Sequence, residues 1–152
     1  MTAVLTACSG FLLAVLWMDL IFDVQVLRHR RAGHALPESV LTSITGYYHR
    51  ATTTSRPMSY LIVLVMLVLL GALAVEIAGG RRSGWLSTSW AVLAVLPIGL
   101  AVRTVRDAVR LGARTDDVLE QSRLARSVCR DHIVCFVSMA VFLCVTLQVA
   151  QA

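Results

Sequence analysis

The chain contains no lysine, so arginine supplies all fourteen of its basic residues. It also has little charge overall, because charged residues of both signs make up 15% of its 152 residues. A soluble domain usually carries about a quarter of charged residues, which excludes that class. Disorder is excluded as well, because 57% of the residues are hydrophobic. With a mean hydropathy of +0.74, the composition predicts a membrane protein of one domain, residues 1–152.

Several motifs that would carry chemistry are missing. The four cysteines include no C-x-x-C pair, which argues against a thiol oxidoreductase and predicts free thiols. Cys129, His132 and Cys135 follow one another at intervals of three, but the first and last lie about 240° apart around a helix. They cannot face one ion, so we expect neither a metal nor a cofactor. The arginines lie between apolar runs rather than on a basic face, so we expect no nucleic-acid partner.

Long apolar runs determine the predicted fold. Four runs lack Asp, Glu, Lys and Arg, and each approaches or exceeds the roughly 20 residues that a helix needs to cross a bilayer. Each run should be helical, because backbone groups in hydrocarbon must be paired within their own segment. The sequence therefore predicts an all-α membrane protein, a bundle of four transmembrane helices. The expected spans are about 4–26, 57–78, 84–111 and 127–150.

The arginine distribution predicts the orientation. Twelve arginines lie in the two connections that follow the first and third spans, and two lie between the second and third spans. Positively charged loops stay in the cytoplasm, so we expect a multi-pass protein of the cell membrane with both termini outside. The lipid bilayer is then its first partner, and a homo-oligomer or a second membrane protein stays open.

Features of the connections refine this fold. In the first cytoplasmic loop, Pro37 to Tyr48 has apolar residues on one helical face, which predicts a short interfacial helix with that face toward the lipid. Pro97 predicts a kink in the third helix that frees a backbone carbonyl for water or a ligand. Gly112 is expected to end that helix, and Thr115 to Asp117 to begin the fourth.

The ionisable residues gather at the cytoplasmic ends of the predicted spans. Asp19 and Asp23 are four apart and share one face of the first helix. The candidate ligand-binding residues at this level are Asp19, Asp23, Tyr48, His49, Arg103, Arg106 and Arg130. In one interpretation the aspartates pair with Arg103 and Arg106 and lock the bundle. In another, they line a polar chamber beneath an apolar one, which binds an amphipathic ligand with an anionic or phenolic end. Arginines that extend to lipid headgroups are a third.

His132 is the best candidate for proton transfer, since it lies one residue beyond the last charge before an apolar run. The alternative is a histidine that hydrogen-bonds a neighbouring backbone group. Tyr47 and Tyr48 fit an aromatic belt at the membrane interface.

The chain also resembles the anthrone-oxygenase-like family of small four-helix membrane proteins. The matching positions are Gly10, Tyr48, Pro57, Pro97 and the stretch 126–132. The resemblance implies a cofactor-free oxygenation of a phenolic substrate. His132 or Asp107 would then be the catalytic base, and Arg103 and Arg130 would hold the resulting anion. The expected function is the binding of an amphipathic or lipophilic small molecule, and the oxygenase activity is left open. The alternative is a non-catalytic accessory or structural subunit whose charge cluster only locks the bundle.

Overall fold

The computed structural model describes residues 1–29, 34–80 and 84–151, and they form helices joined by short connections. The first helix continues into a 3₁₀ segment, Val24–His29. The α-helices are α1 (Thr2–Asp23), α2 (Glu38–Thr53), α3 (Arg56–Ala78), α4 (Gly84–Ala113) and α5 (Val118–Gln151).

Four of these helical segments are long and apolar enough to cross a membrane, as predicted. They are Thr2–His29, Pro57–Ala78, Thr88–Ala113 and Val118–Val149. Large apolar side chains cover their outer surfaces, with Tyr60 74%, Leu67 61% and Val102 61% exposed. Such surfaces are suited to contact with lipid chains. Helix α5 begins nine residues before the expected start of its span, because its first turns are charged and extend beyond the apolar run.

The long helices pack antiparallel around two apolar cores. Near the termini, Leu5 of α1 and Phe142 of α5 belong to one core, whereas Asp23 of α1 lies beside His132 of α5. Both termini therefore lie at one end of the bundle, which we call the terminal end. The core of the opposite end contains the buried face of α2, and we call this the α2 end.

The apolar face of α2 packs against protein rather than toward lipid, in contrast to our expectation. Leu41, Ile44 and Tyr48 are at most 3% exposed and share a core with Leu111 of α4 and Val128 of α5. The helix predicted in this loop is therefore present, and its location at the headgroup level stays a prediction. A position within the bundle lets α2 carry its tyrosines to the ends of the long helices.

Gly112 does not end α4, which continues to Ala113 before Arg114 adopts a positive φ of 53°. Its role is instead to let α2 approach. A Cβ atom at Gly112 would lie 2.8 Å from the backbone nitrogen of His49 and 3.0 Å from the carbonyl carbon of Tyr48. Neither atom can move without shifting α2.

Gly112→Ala is therefore expected to lower the free energy of unfolding by about 1–3 kcal/mol through overpacking. The matched control is Gly99→Ala on the same helix, where the added methyl group meets nothing within 4 Å. The control should be neutral or slightly stabilising, because alanine favours helix. Denaturant unfolding in micelles measures both. Equal stability of the two variants would contradict the close approach of α2.

Side-chain hydrogen bonds to the backbone cap the start of α5 and satisfy the carbonyl that Pro97 leaves free in α4. Asp117 accepts hydrogen bonds from the backbone N–H groups of Leu119 and Glu120, which confirms the predicted start of α5. Pro97 cannot donate to the carbonyl of Leu93, one turn earlier. Ser138 of α5 donates to that carbonyl at 3.0 Å. The carbonyl freed by the proline thus binds a neighbouring helix.

Candidate functional site

A layer of polar side chains separates the two apolar cores. It consists of Asp19 and Asp23 of α1, Tyr47 and Tyr48 of α2, and His132 of α5, and we call it the polar layer. The four-residue spacing places both aspartates on one face of α1. The structure thus brings together four of the residues selected from the sequence, and it adds Tyr47.

Asp23 is the centre of the polar layer. Its side chain is fully buried and accepts two hydrogen bonds, one at each oxygen. Tyr48 Oη donates to Oδ1 at 2.7 Å, and His132 Nδ1 lies 2.6 Å from Oδ2. A carboxylate only accepts, so Nδ1 carries the hydrogen in this pair. Asp23 therefore fixes the orientation of the imidazole and directs Nε2 away from itself.

Asp19 lies on the other side of the imidazole and is less buried, with 19% of its side chain exposed. Tyr47 Oη donates to its Oδ1 at 2.6 Å. Its Oδ2 is 3.9 Å from His132 Nε2, beyond hydrogen-bond distance. The two atoms form a polar edge with capacity for a further hydrogen-bond partner.

The surroundings of Tyr47 and Tyr48 keep both phenols protonated, so that they act as hydrogen-bond donors. Burial raises the pKa of Tyr48, and the carboxylates of Asp23 and Asp19 raise it further. Burial also raises the pKa of Tyr47, together with its hydrogen bond to Asp19. The Tyr47 ring stacks on Phe22 of α1 with centroids 4.1 Å apart. Both phenols therefore keep their protons and donate them to the aspartates.

An alkaline titration tests this assignment. The absorbance difference between the wild type and Tyr48→Phe should show no phenolate step near pH 10, the ordinary tyrosine pKa of about 10. The same pair of proteins unfolded in denaturant is the control and should show that step. A step near pH 10 in the folded pair would mean that Tyr48 is accessible to solvent.

Arg103 pairs with Asp131 of α5 instead of with the aspartates of α1. Its Nη2 donates to both carboxylate oxygens at 2.7 and 2.6 Å, and its Nε donates at 3.2 Å. The Asp131 side chain is 3% exposed, whereas that of Arg103 is 51% exposed. Arg130 adds longer contacts of 3.4 Å to Asp131. The locking ion pairs between α1 and α4 that we considered are therefore replaced by a pair between α4 and α5.

The other candidates lie outside the polar layer. Arg106 and His49 are exposed, and Asp107 is half-buried one turn beyond Arg103. Sequence reasoning missed Asp131 as the partner of Arg103, and it assigned Tyr47 to an aromatic belt. The signal available for Tyr47 was its place beside Tyr48 in the helical segment predicted for residues 37–48.

An apolar cavity of about 170 Å³ adjoins the polar layer between α1, α3, α4 and α5. Its polar lining comes from Asp19, Thr104 and His132. The rest of the lining is Leu12, Val15, Leu16, Ile62, Met66, Pro97, Ile98, Ala101, Val105, Cys135 and Met139. A cavity of about 150 Å³ holds one benzene ring, so this one accepts a single ring or a short chain.

Two further findings concern ligands and relatives. Within residues 1–29, 34–80 and 84–151, no group of three His, Cys, Asp or Glu side chains is arranged to hold a metal ion. No protein-family model, curated protein or solved structure matches the chain.

Proposed function

We propose that this protein binds a small amphipathic molecule in the cavity, with its apolar part between the helices and its polar end at Asp19 and His132. The observation that carries this proposal is the polar edge at the end of an apolar cavity: Asp19 Oδ2 and His132 Nε2 lie 3.9 Å apart. Polar atoms in an apolar site are costly unless they are hydrogen-bonded. A ligand with a donor group at one end satisfies them.

A route for the ligand runs through the side of the bundle. Val105 lines the cavity, yet it is 58% exposed on the surface of α4. We propose that the cavity opens beside this residue, on a span that we place in the bilayer. A lipophilic molecule dissolved in the membrane would enter there without crossing water.

The proposed orientation places the α2 end in the cytoplasm of a cell-membrane protein, with both termini outside. It is supported by exposed arginines at the α2 end, which include Arg106, Arg110, Arg114, Arg123 and Arg130. Arginines near cytoplasmic span ends follow the positive-inside tendency. The polar layer would then lie near the inner headgroups.

A second candidate function is the cofactor-free oxygenation of a phenolic substrate, which the family resemblance implies. One observation favours it: Asp23 orients His132 through Nδ1, and the same histidine lines the cavity. A neutral imidazole held in this way accepts a proton at Nε2. With an anthrone, loss of a methylene proton would give a carbanion that passes its electrons to O₂. The methylene would become a carbonyl, and the second oxygen atom would leave as water.

Cavity size limits the substrate of this reaction. The volume of about 170 Å³ suits one ring, so a polycyclic substrate would extend through the opening beside Val105. The resemblance implies that Arg103 holds the substrate anion. In the structure its guanidinium is instead paired with Asp131.

The test of binding is a cavity-filling substitution. Saturable binding of at least one of three single-ring probes, 2-phenylethylamine, 2-phenylethanol and phenylacetate, is expected in nanodiscs by calorimetry. Ala101→Phe places a ring in the cavity and should weaken this binding about tenfold or more, or 1.4 kcal/mol. Ala74→Phe is the matched control, because Ala74 is exposed on α3 and does not line the cavity. Binding that survives Ala101→Phe would contradict the site, and no binding of any probe would favour the non-catalytic structural subunit.

A further inference from the structure

We infer that the ligand carries a protonated amine at its polar end, so that the cavity is a site for a small lipophilic ammonium ion. This inference rests on the proposed function and names the chemistry of its ligand. The charges of the polar layer and the positions of its unused hydrogen-bonding atoms support it independently.

The polar layer has an excess of negative charge. It contains two carboxylates and one imidazole, and its tyrosines are neutral donors. Within the described part of the chain, no arginine lies within ion-pair distance of Asp19 or Asp23. Arg130, two residues before His132, contacts Asp131 instead. Arg103 of α4 also contacts Asp131. A carboxylate in apolar surroundings favours a cation beside it.

The unused atoms match an ammonium group. Asp19 Oδ1 and His132 Nδ1 are already engaged, which leaves Asp19 Oδ2 and His132 Nε2. With the hydrogen on Nδ1, Nε2 of a neutral imidazole is an acceptor. The two atoms lie 3.9 Å apart, too far for a hydrogen bond between them.

One nitrogen with two or more hydrogens can donate to both atoms at about 2.9 Å. A hydroxyl or phenol has a single hydrogen and satisfies one acceptor. A carboxylate has none and would add negative charge to the layer. The anionic end that we considered from the sequence is therefore disfavoured, since the arginines that would hold it are engaged with Asp131.

The experiment compares three probes that share one ring and differ in their polar end. Calorimetry in nanodiscs, with empty nanodiscs subtracted, gives the affinities of 2-phenylethylamine, 2-phenylethanol and phenylacetate. The amine is expected to bind about tenfold or more tightly than the alcohol, since a lost buried ionic contact costs that much or more. Phenylacetate should bind most weakly.

Asp19→Asn isolates the charge, because the amide oxygen still accepts from Tyr47. It should weaken the amine about tenfold or more and leave the alcohol within about threefold. Glu38→Gln is the matched control, since it removes the same charge from an exposed position on α2, 67% exposed and outside the cavity. It should change neither affinity.

The outcomes separate this inference from the proposed function. If the alcohol binds as tightly as the amine, or if Asp19→Asn weakens both equally, the inference of an ammonium ligand is wrong. The cavity then remains a binding site. If no probe binds the wild type, the proposed function fails and the inference fails with it. Because this cavity accepts one ring, native mass spectrometry of the same complexes should show one bound probe that is lost in Ala101→Phe.

Discussion

Asp23→Ala is expected to lower the free energy of unfolding by about 2–6 kcal/mol, because two buried donors lose their acceptor at a cost of about 1–3 kcal/mol each. The Asp23 side chain is fully buried, and it is hydrogen-bonded to both His132 and Tyr48. Its loss leaves an imidazole N–H and a phenol hydrogen without their acceptor in an apolar environment. Denaturant unfolding in micelles, followed by circular dichroism, measures the change.

Asp19→Ala is the comparison within the same helix and should cost less. Asp19 has 19% of its side chain exposed and accepts one hydrogen bond, from Tyr47. Glu38→Ala, at an exposed ion pair with Arg114, should change stability little. Equal losses for Asp23→Ala and Glu38→Ala would mean that the buried hydrogen bonds of the polar layer do not form.

An apolar replacement of the whole group separates structure from function. In Asp23→Leu with Tyr48→Phe and His132→Leu, the three mutually hydrogen-bonded groups are removed together, so none of the three is left without its partner. Replacing a buried ionic group in this way is often neutral or stabilising. Recovery of most of the stability lost in Asp23→Ala is therefore expected, together with loss of probe binding. Failure to recover it would favour a layer that serves only to hold the bundle together.

The fold was predictable because long apolar runs without charge can cross a bilayer only as helices. Residues 57–75 form one such run, in which the backbone N–H and C=O groups can be paired only within a helix. Four runs of this kind give the four candidate spans. The exact helix ends were less predictable. The acidic residues before Val118 indicated the start of α5, whereas Gly112 permits the close approach of α2 and does not end α4.

The neighbourhood of the candidate site was predictable, but its pairings were not. Adjacent residues on a helix point about 100° apart, so Asp131 faces Arg103 on α4 while His132 faces the aspartates of α1. Sequence spacing gives the face of each helix and leaves the rotation of one helix against another undetermined. A chamber beside these residues was one of the interpretations of the sequence, but its size and lining depend on how the side chains of four helices pack.

His132→Ala is expected to lower the rate of oxygen consumption with anthrone by about 10²–10⁴-fold, the usual contribution of a general base. The reason is geometric. His132 is the one imidazole among the residues that line the cavity, and Asp23 holds its Nδ1 at 2.6 Å. An oxygen electrode with protein in nanodiscs gives the rate, and His29→Ala, at an exposed position outside the cavity, is the matched control.

Two further variants keep this prediction decisive if His132→Ala is unstable. His132→Gln retains a polar side chain of similar reach but cannot accept the proton, so it should be as slow as alanine. Asp23→Asn places an amide beside Nδ1 and disturbs the orientation and tautomer of the imidazole, which should also slow the reaction. Wild-type protein that consumes no oxygen with anthrone would remove the oxygenase and leave the binding site. A rate unchanged in both variants would show that His132 is not the base.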